Sequence, residues 1–246
     1  MLYGPEKTTL FLGNFGSGKT EVAVNFALHL AANRKGLPVA LVDLDLVNPY
    51  FRSREARQVL EDAGIRLILP DAQYLHADLP VLTSGVRAAL VDQSPDAGVL
   101  ILDVGGDDVG ARVLGALHDA LPEGSYRAVM VVNAARPMTA DVPGISRMKA
   151  AIEAAGKIRV TGLASNTHLM DQTTAQTIAR GRTLALQAAA ALGLSLEFVT
   201  APAALADAAR QTVEEDVLPI YRYLTPPWLV PADGEAHRLG KALFRL

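Results

Sequence analysis

The residues able to do chemistry begin with Gly13-Asn14-Phe15-Gly16-Ser17-Gly18-Lys19-Thr20, which satisfies the pattern G-x-x-x-x-G-K-[ST]. Glycines at these spacings let successive backbone N–H groups turn inward around phosphate oxygens. Lys19 adds an ammonium for the terminal phosphates, and the Thr20 hydroxyl is placed to hold Mg²⁺. A helix starting at Lys19 would point the positive end of its dipole at the same anion. The plainer reading is a Gly-rich turn that happens to end in Lys-Thr. Against it, the octapeptide lies between an apolar run, Thr8 to Gly13, and a helical pattern, Lys19 to Asn33, which is the context the motif requires.

Carboxylates form the second group. Asp43 and Asp45 close the run PVALVDLD (Pro38 to Asp45), and Asp103 lies in GVLILDVGG (Gly98 to Gly106). In an open α/β sheet, ligands bind beyond the carboxyl ends of the strands. There Asp103 would act on Mg²⁺ directly or through water, and Asp43 would support the metal's water shell. Asp45 would orient or activate an attacking water, making Lys19 and Asp45 the candidate catalytic pair. Gly105 and Gly106 would offer a backbone N–H to a γ-phosphate and move when it leaves. The alternative is that these acids cap the following helices. For Asp103 the Gly-Gly that follows favours the metal role.

The elements that must position these groups are readable from apolar runs. Thr8 to Gly13, Pro38 to Asp45, Ile65 to Pro70, Gly98 to Gly106, Tyr126 to Asn133, Ile158 to Asn166 and Leu194 to Thr200 read as strands. They are too apolar for one wet face and fit a parallel sheet covered by helices on both sides. Helical patterns between them, such as Ser53 to Ala63 and Thr173 to Leu192, complete strand–helix alternation. The expectation is an α/β chain with three layers and a mostly parallel sheet of roughly seven strands. One domain is expected over residues 1–246, closing on a short helix, Gly234 to Arg245, after the Pro-rich TPPWLVP.

Composition narrows the classes further. Among 246 residues, half are hydrophobic and 20% are charged, which excludes a disordered chain. With no cysteine, there is no disulfide, thiolate zinc site, iron–sulfur cluster or cysteine nucleophile. A net charge of −3 without blocks of one sign gives no strong nucleic-acid signal. The start of the sequence has no signal-peptide pattern, and no apolar run has the length of a membrane span, so a cytoplasmic location is expected.

With these motifs placed, the chain resembles the MinD/ParA-type ATPases of the SIMIBI class of P-loop proteins, the CobQ/CobB/MinD/ParA nucleotide-binding domain. GNFGSGKT, the acid pair in VALVDLDLVNP and LDVGG carry the resemblance over roughly the first 110 residues, anchored on the phosphate-loop motif. SNTH around Asn166 extends it to the sixth strand. The resemblance implies a P-loop NTPase fold, Mg²⁺-dependent binding of ATP with slow hydrolysis, and a switch acting through a nucleotide-dependent homodimer or a protein partner. It also assigns an adenine contact to Asn166. One departure is plain: the family's loops read G-K-G-G-x-G-K-[ST], with an extra lysine reaching across a dimer. Here Asn14 stands at that position and Phe15 replaces the next glycine.

The loop is closer to the GxxGSGKT of signal-recognition-particle and metallochaperone GTPases, so a SIMIBI-type GTPase is the alternative. Against guanine, no N/T-K-x-D is present, and Leu169 stands where an acid would hold that base. A non-hydrolysing regulatory or scaffold module and a ligase or kinase acting on a small acid are further alternatives. Arg52, Arg54 and Arg57 read as a switch segment or as a solvated helix face. His76 and Asp78 read as loop residues or metal ligands, while Arg136 and His168 would border the nucleotide. In the last helix, Leu239, Leu243 and Phe244 would dock on the core or, with Arg238, Lys241 and Arg245, touch a membrane surface.

Overall fold

Runs of Leu, Val and Ile without polar alternation cannot leave one face in water, and the chain builds a sheet whose central strands are covered on both sides. The computed structural model describes residues 6–34, 36–45, 53–69, 84–92, 94, 97–106 and 108–224. In chain order these form β1 (Thr8–Leu12), α1 (Lys19–Asn33), β2 (Val39–Leu44), α2 (Arg57–Asp62), β3 (Arg66–Ile68), α3 (Ser84–Val91), β4 (Val99–Val104) and α4 (Asp108–Gly115). There follow β5 (Tyr126–Val132), α5 (Val142–Gly156), β6 (Gly162–Ser165), α6 (Ala175–Leu192), β7 (Ser195–Pro202), α7 (Ala206–Arg210) and β8 (Val217–Ile220).

The strands lie in the order β3-β2-β4-β1-β5-β6-β7-β8, and every neighbouring pair is parallel. The sheet therefore has one strand more than the apolar runs suggest. β8 escapes such a reading because it is only four residues long and contains Pro219. A proline is tolerated there because β8 is an edge strand, where one face of the ladder has no partner to supply. β6 is shorter than Ile158 to Asn166. Lys157 adopts a left-handed conformation (φ 51°) at the end of α5, and the Tyr126 hydroxyl accepts the Arg159 N–H before pairing begins. The pattern Ser53 to Ala63 opens as a 3₁₀ turn, Ser53–Ala56, before α2. The C-terminal helix at 234–245, Arg52, His76 and Asp78 lie outside the described residues, as does the Arg54 side chain.

Two apolar layers sandwich the sheet. One gathers Leu10, Leu12, Leu102 and Val104 with α4, α5 and α6 residues such as Val113, Ile145 and Ala188. The other gathers Phe11, Leu41 and Ile101 with Val22, Phe26 and Leu30 of α1. α1 is buried on most of its circumference, since Leu224 packs in the same layer and β8 lies beside it. Phe26 roots it: its ring meets Phe11 edge-on at 5.1 Å and stacks on Phe198 at 6.1 Å. Phe26→Ala is expected to cost about 3–5 kcal/mol, the usual toll for emptying a core aromatic site. Urea unfolding of the two proteins checks this.

Candidate functional site

The sheet order places β1 between β4 and β5, so the loop leaving β1 opens at the point where successive crossovers run to opposite sides. Residues 13–18 form this loop and deliver the chain to α1. Gly18 is the N-cap of α1 with φ 81°, and no side chain caps the helix. The start of a 15-residue helix thus carries no side-chain cap among the described residues, which makes it a ready anion site. A Cβ on Gly18 would stand 2.3 Å from Asn166 Nδ2, so only glycine fits both the backbone angle and the space.

The loop is braced from the ends of β5 and β6. Asn166 donates from Nδ2 to the Ser17 carbonyl at 2.7 Å, and its Oδ1 accepts the Thr200 hydroxyl at 2.5 Å. Arg136 Nε donates to the Gly16 carbonyl at 3.0 Å. Asn14 closes the turn by accepting from Ser17 N at 3.1 Å. Phe15 points outward and is 65% exposed.

At the other end of the loop's mouth, Asp43 and Asp103 are register partners on β2 and β4, so both carboxylates project to the α1 side. Both are fully buried, and Asp45 nearly so. Thr20 donates from Oγ1 to Asp103 Oδ1 at 3.2 Å, Ser53 donates to Asp103 Oδ2 at 2.6 Å, and Asp45 N donates to Asp43 Oδ1 at 3.0 Å. Gly106 closes over this group: a Cβ there would stand 2.8 Å from Phe15 N and 2.9 Å from Lys19 Nζ. Lys19, Thr20, Gly106, Asp43 and Asp103 are therefore brought together, with Asp45 at the same edge.

Burial pushes the Asp103 carboxyl up to about 7, with Lys19 opposing and Asp43 adding to the rise. The hydroxyl and carboxylate oxygens are hard donors that suit Mg²⁺. Among the described residues no cluster of three or more His, Asp or Glu could cage a metal unaided. Mg²⁺ commonly keeps several waters and shares its shell with substrate phosphates. Thr20 would hold it, with Asp103 and Asp43 behind, and the ion would neutralise charge on the phosphates.

A cleft of about 410 Å³ runs from Gly18, Lys19 and Thr20 past Arg136 and His168 to Thr200, Pro202 and Arg222. Burial, with Arg136 and Arg222 nearby, holds the His168 imidazole below its ordinary value, toward the neutral ring. One wall is a strap, residues 221–224, latched onto α1. Glu21 accepts the Tyr223 and Leu224 N–H groups at 2.6 and 3.3 Å, and Asn25 exchanges bonds with both backbone groups of Tyr221 at 2.8 and 2.9 Å. Sequence reasoning missed Ser53, Thr200, Arg222 and this latch. Thr200 closes the apolar run Leu194 to Thr200, two residues before the end of β7, and could have been found by the strand-end rule; the others depend on contacts distant in sequence. Arg57 forms an exposed pair with Glu61 on α2, as the solvated-face reading has it.

No protein-family model matches the chain, and no curated protein matches it. Solved structures do. The signal recognition particle receptor FtsY from Elizabethkingia anophelis in complex with GDP superposes with a TM-score of 0.54 at 18% identity, covering 80% of this chain and 58% of that one. The signal recognition particle 54 kDa protein from Aeropyrum pernix in complex with GDP gives 0.56 at 21% identity, covering 80% and 42%. FtsY from Mycoplasma mycoides gives 0.54 at 16% identity, covering 80% and 60%. The chain thus spans roughly half the length of these proteins. Fold and loop together place the chain in one fold class, the three-layer α/β fold of P-loop nucleoside triphosphatases. The narrower MinD/ParA resemblance finds no support in these structures, which are signal-recognition-particle proteins.

Two expectations follow. Gly18→Ala should abolish measurable nucleotide binding, because its Cβ would drive Asn166 off the loop; fluorescence titration checks it. In EDTA, stability should fall as pH rises from about 4.5 to about 7. The folded state holds protons on Asp103 and on Glu21, which burial also pushes up to about 7, whereas the unfolded chain has released them by then. Melting temperatures from pH 5 to 8 should decline, and Glu21→Gln should flatten the slope.

Proposed function

We propose that the chain is a nucleotide switch: a single domain over 1–246 that binds a nucleoside triphosphate with Mg²⁺ and hydrolyses it slowly. The observation that carries this is the uncapped start of α1 beside Lys19, with Thr20 hydrogen-bonded to the buried Asp103 at the mouth of the cleft. Loop amides from Gly13 to Thr20, with Gly106, would cradle the phosphates. Lys19 would stabilise the charge developing on the transferred group, and Asp45 would orient the attacking water. Asn166, already holding the loop, would stand beside the base.

For the base, guanine is the better supported reading. Two of the solved neighbours carry GDP. Asp171 also lines the cleft, two residues beyond Leu169, where it would supply the acid that the sequence pattern lacks. ATP is the second reading, resting on the missing N/T-K-x-D. The switch would work in the cytoplasm by nucleotide-dependent self-association or by contact with a protein partner. The exposed Phe15 ring would provide an apolar contact where the MinD/ParA-type loops have glycine.

Competition between GTP and ATP for a fluorescent nucleotide, with phosphate release on the same samples, tests the reading. Lys19→Ala should lose binding, and Asp45→Ala should keep binding while turnover drops about 100-fold, the scale of a lost general base. Tight binding with no turnover in the wild type would instead establish a non-hydrolysing module.

A further inference from the structure

Ser53 opens the turn that follows the acid pair and is completely buried, and Ala56 is also buried, although the charged side chains of Glu55 and Arg57 face solvent. Its hydroxyl donates to Asp103 Oδ2 at 2.6 Å, while Thr20 donates to the other oxygen of the same carboxylate at 3.2 Å. Asp103 is therefore gripped from both sides, by the start of α1 and by the chain leading into α2. Because Thr20 gives its proton to Asp103, its hydroxyl lone pairs are left for a cation.

The grip has a second end. The backbone N–H of Asp45 is bonded to Asp43 Oδ1 at 3.0 Å, and Asp43 is the register partner of Asp103. The chain from Asp45 to Ser53 thus begins and ends on the two neighbouring carboxylates assigned to the metal.

We propose that Ser53 is the positioning residue of the Mg²⁺ site: it fixes the orientation of Asp103 and links occupancy of that site to α2. The inference rests on the nucleotide-switch reading. A hydrogen-bond partner behind a metal-supporting carboxylate sets its orientation, and removing such a partner commonly costs 10–100-fold in metal affinity. Ser53 acts through Asp103 and need not touch the nucleotide.

The test titrates Mg²⁺ against the full chain with fluorescent GTP and ATP analogues. Ser53→Ala should raise the Mg²⁺ concentration for half-maximal tightening about tenfold, and Ser53→Thr, which keeps the hydroxyl, should return within about threefold of the wild type. Ser53→Cys, close in volume but a poor donor, should share the alanine defect, and it serves if the alanine variant does not fold. Hydrogen exchange of the α2 amides should slow on Mg²⁺–nucleotide binding in the wild type and respond less in Ser53→Cys. An unchanged Mg²⁺ requirement, or an affinity loss equal in Mg²⁺ and EDTA, overturns the proposal while leaving the switch reading standing. A wild type that binds no nucleotide overturns both.

Discussion

Three aspartates enter the protein interior at one sheet edge, and much of the surrounding structure answers that electrostatic demand. A carboxylate removed from water costs several kcal/mol unless charge and hydrogen bonds replace its hydration. Here the replacements are the Lys19 ammonium, the Thr20 and Ser53 hydroxyls, a backbone N–H from Asp45 and the positive end of α1. They come from three stretches of chain, which must converge on β2 and β4 for the acids to be tolerated. The same convergence leaves Asp103 with a raised proton affinity, an environment in which a divalent cation is a welcome replacement for the proton.

The parallel sheet is what permits that convergence. All strands point their carboxyl ends to one edge, so the loops after β1, β2, β4, β6 and β7 share a single rim. β1 sits among them with Phe11 below, where α1 is anchored through Phe26. Asn166 and Arg136 then hold the loop carbonyls of Ser17 and Gly16 from the β5–β6 side. The loop is held by tertiary contacts as well as by its own turn at Asn14.

Much of this was legible because local chemistry and topology agree. GNFGSGKT between a strand and a helix, and acids at apolar strand ends, are short-range signals whose placement follows from the parallel architecture. β8 was hidden because Pro219 and a length of four residues erase the strand signature, and only the edge position makes such a strand viable. Ser53 was hidden because its importance lies in a bond across 50 residues to Asp103. Asp171 was hidden for a related reason: it reaches the cleft from just past N-T-H-L, within a 3₁₀ turn, Met170–Gln172, that sequence spacing does not reveal.

The latch on α1 has a mechanical meaning. One helix carries at its first turn both Lys19 and Thr20, which face the phosphate loop, and Glu21, which holds the backbone of residues 223 and 224. The polypeptide leaves the sheet at β8 and reaches Leu224 beside the cleft. Residues 221–224 are thus tethered to the same turn that would grip a nucleotide, and a small rotation of α1 would carry this wall of the cleft with it.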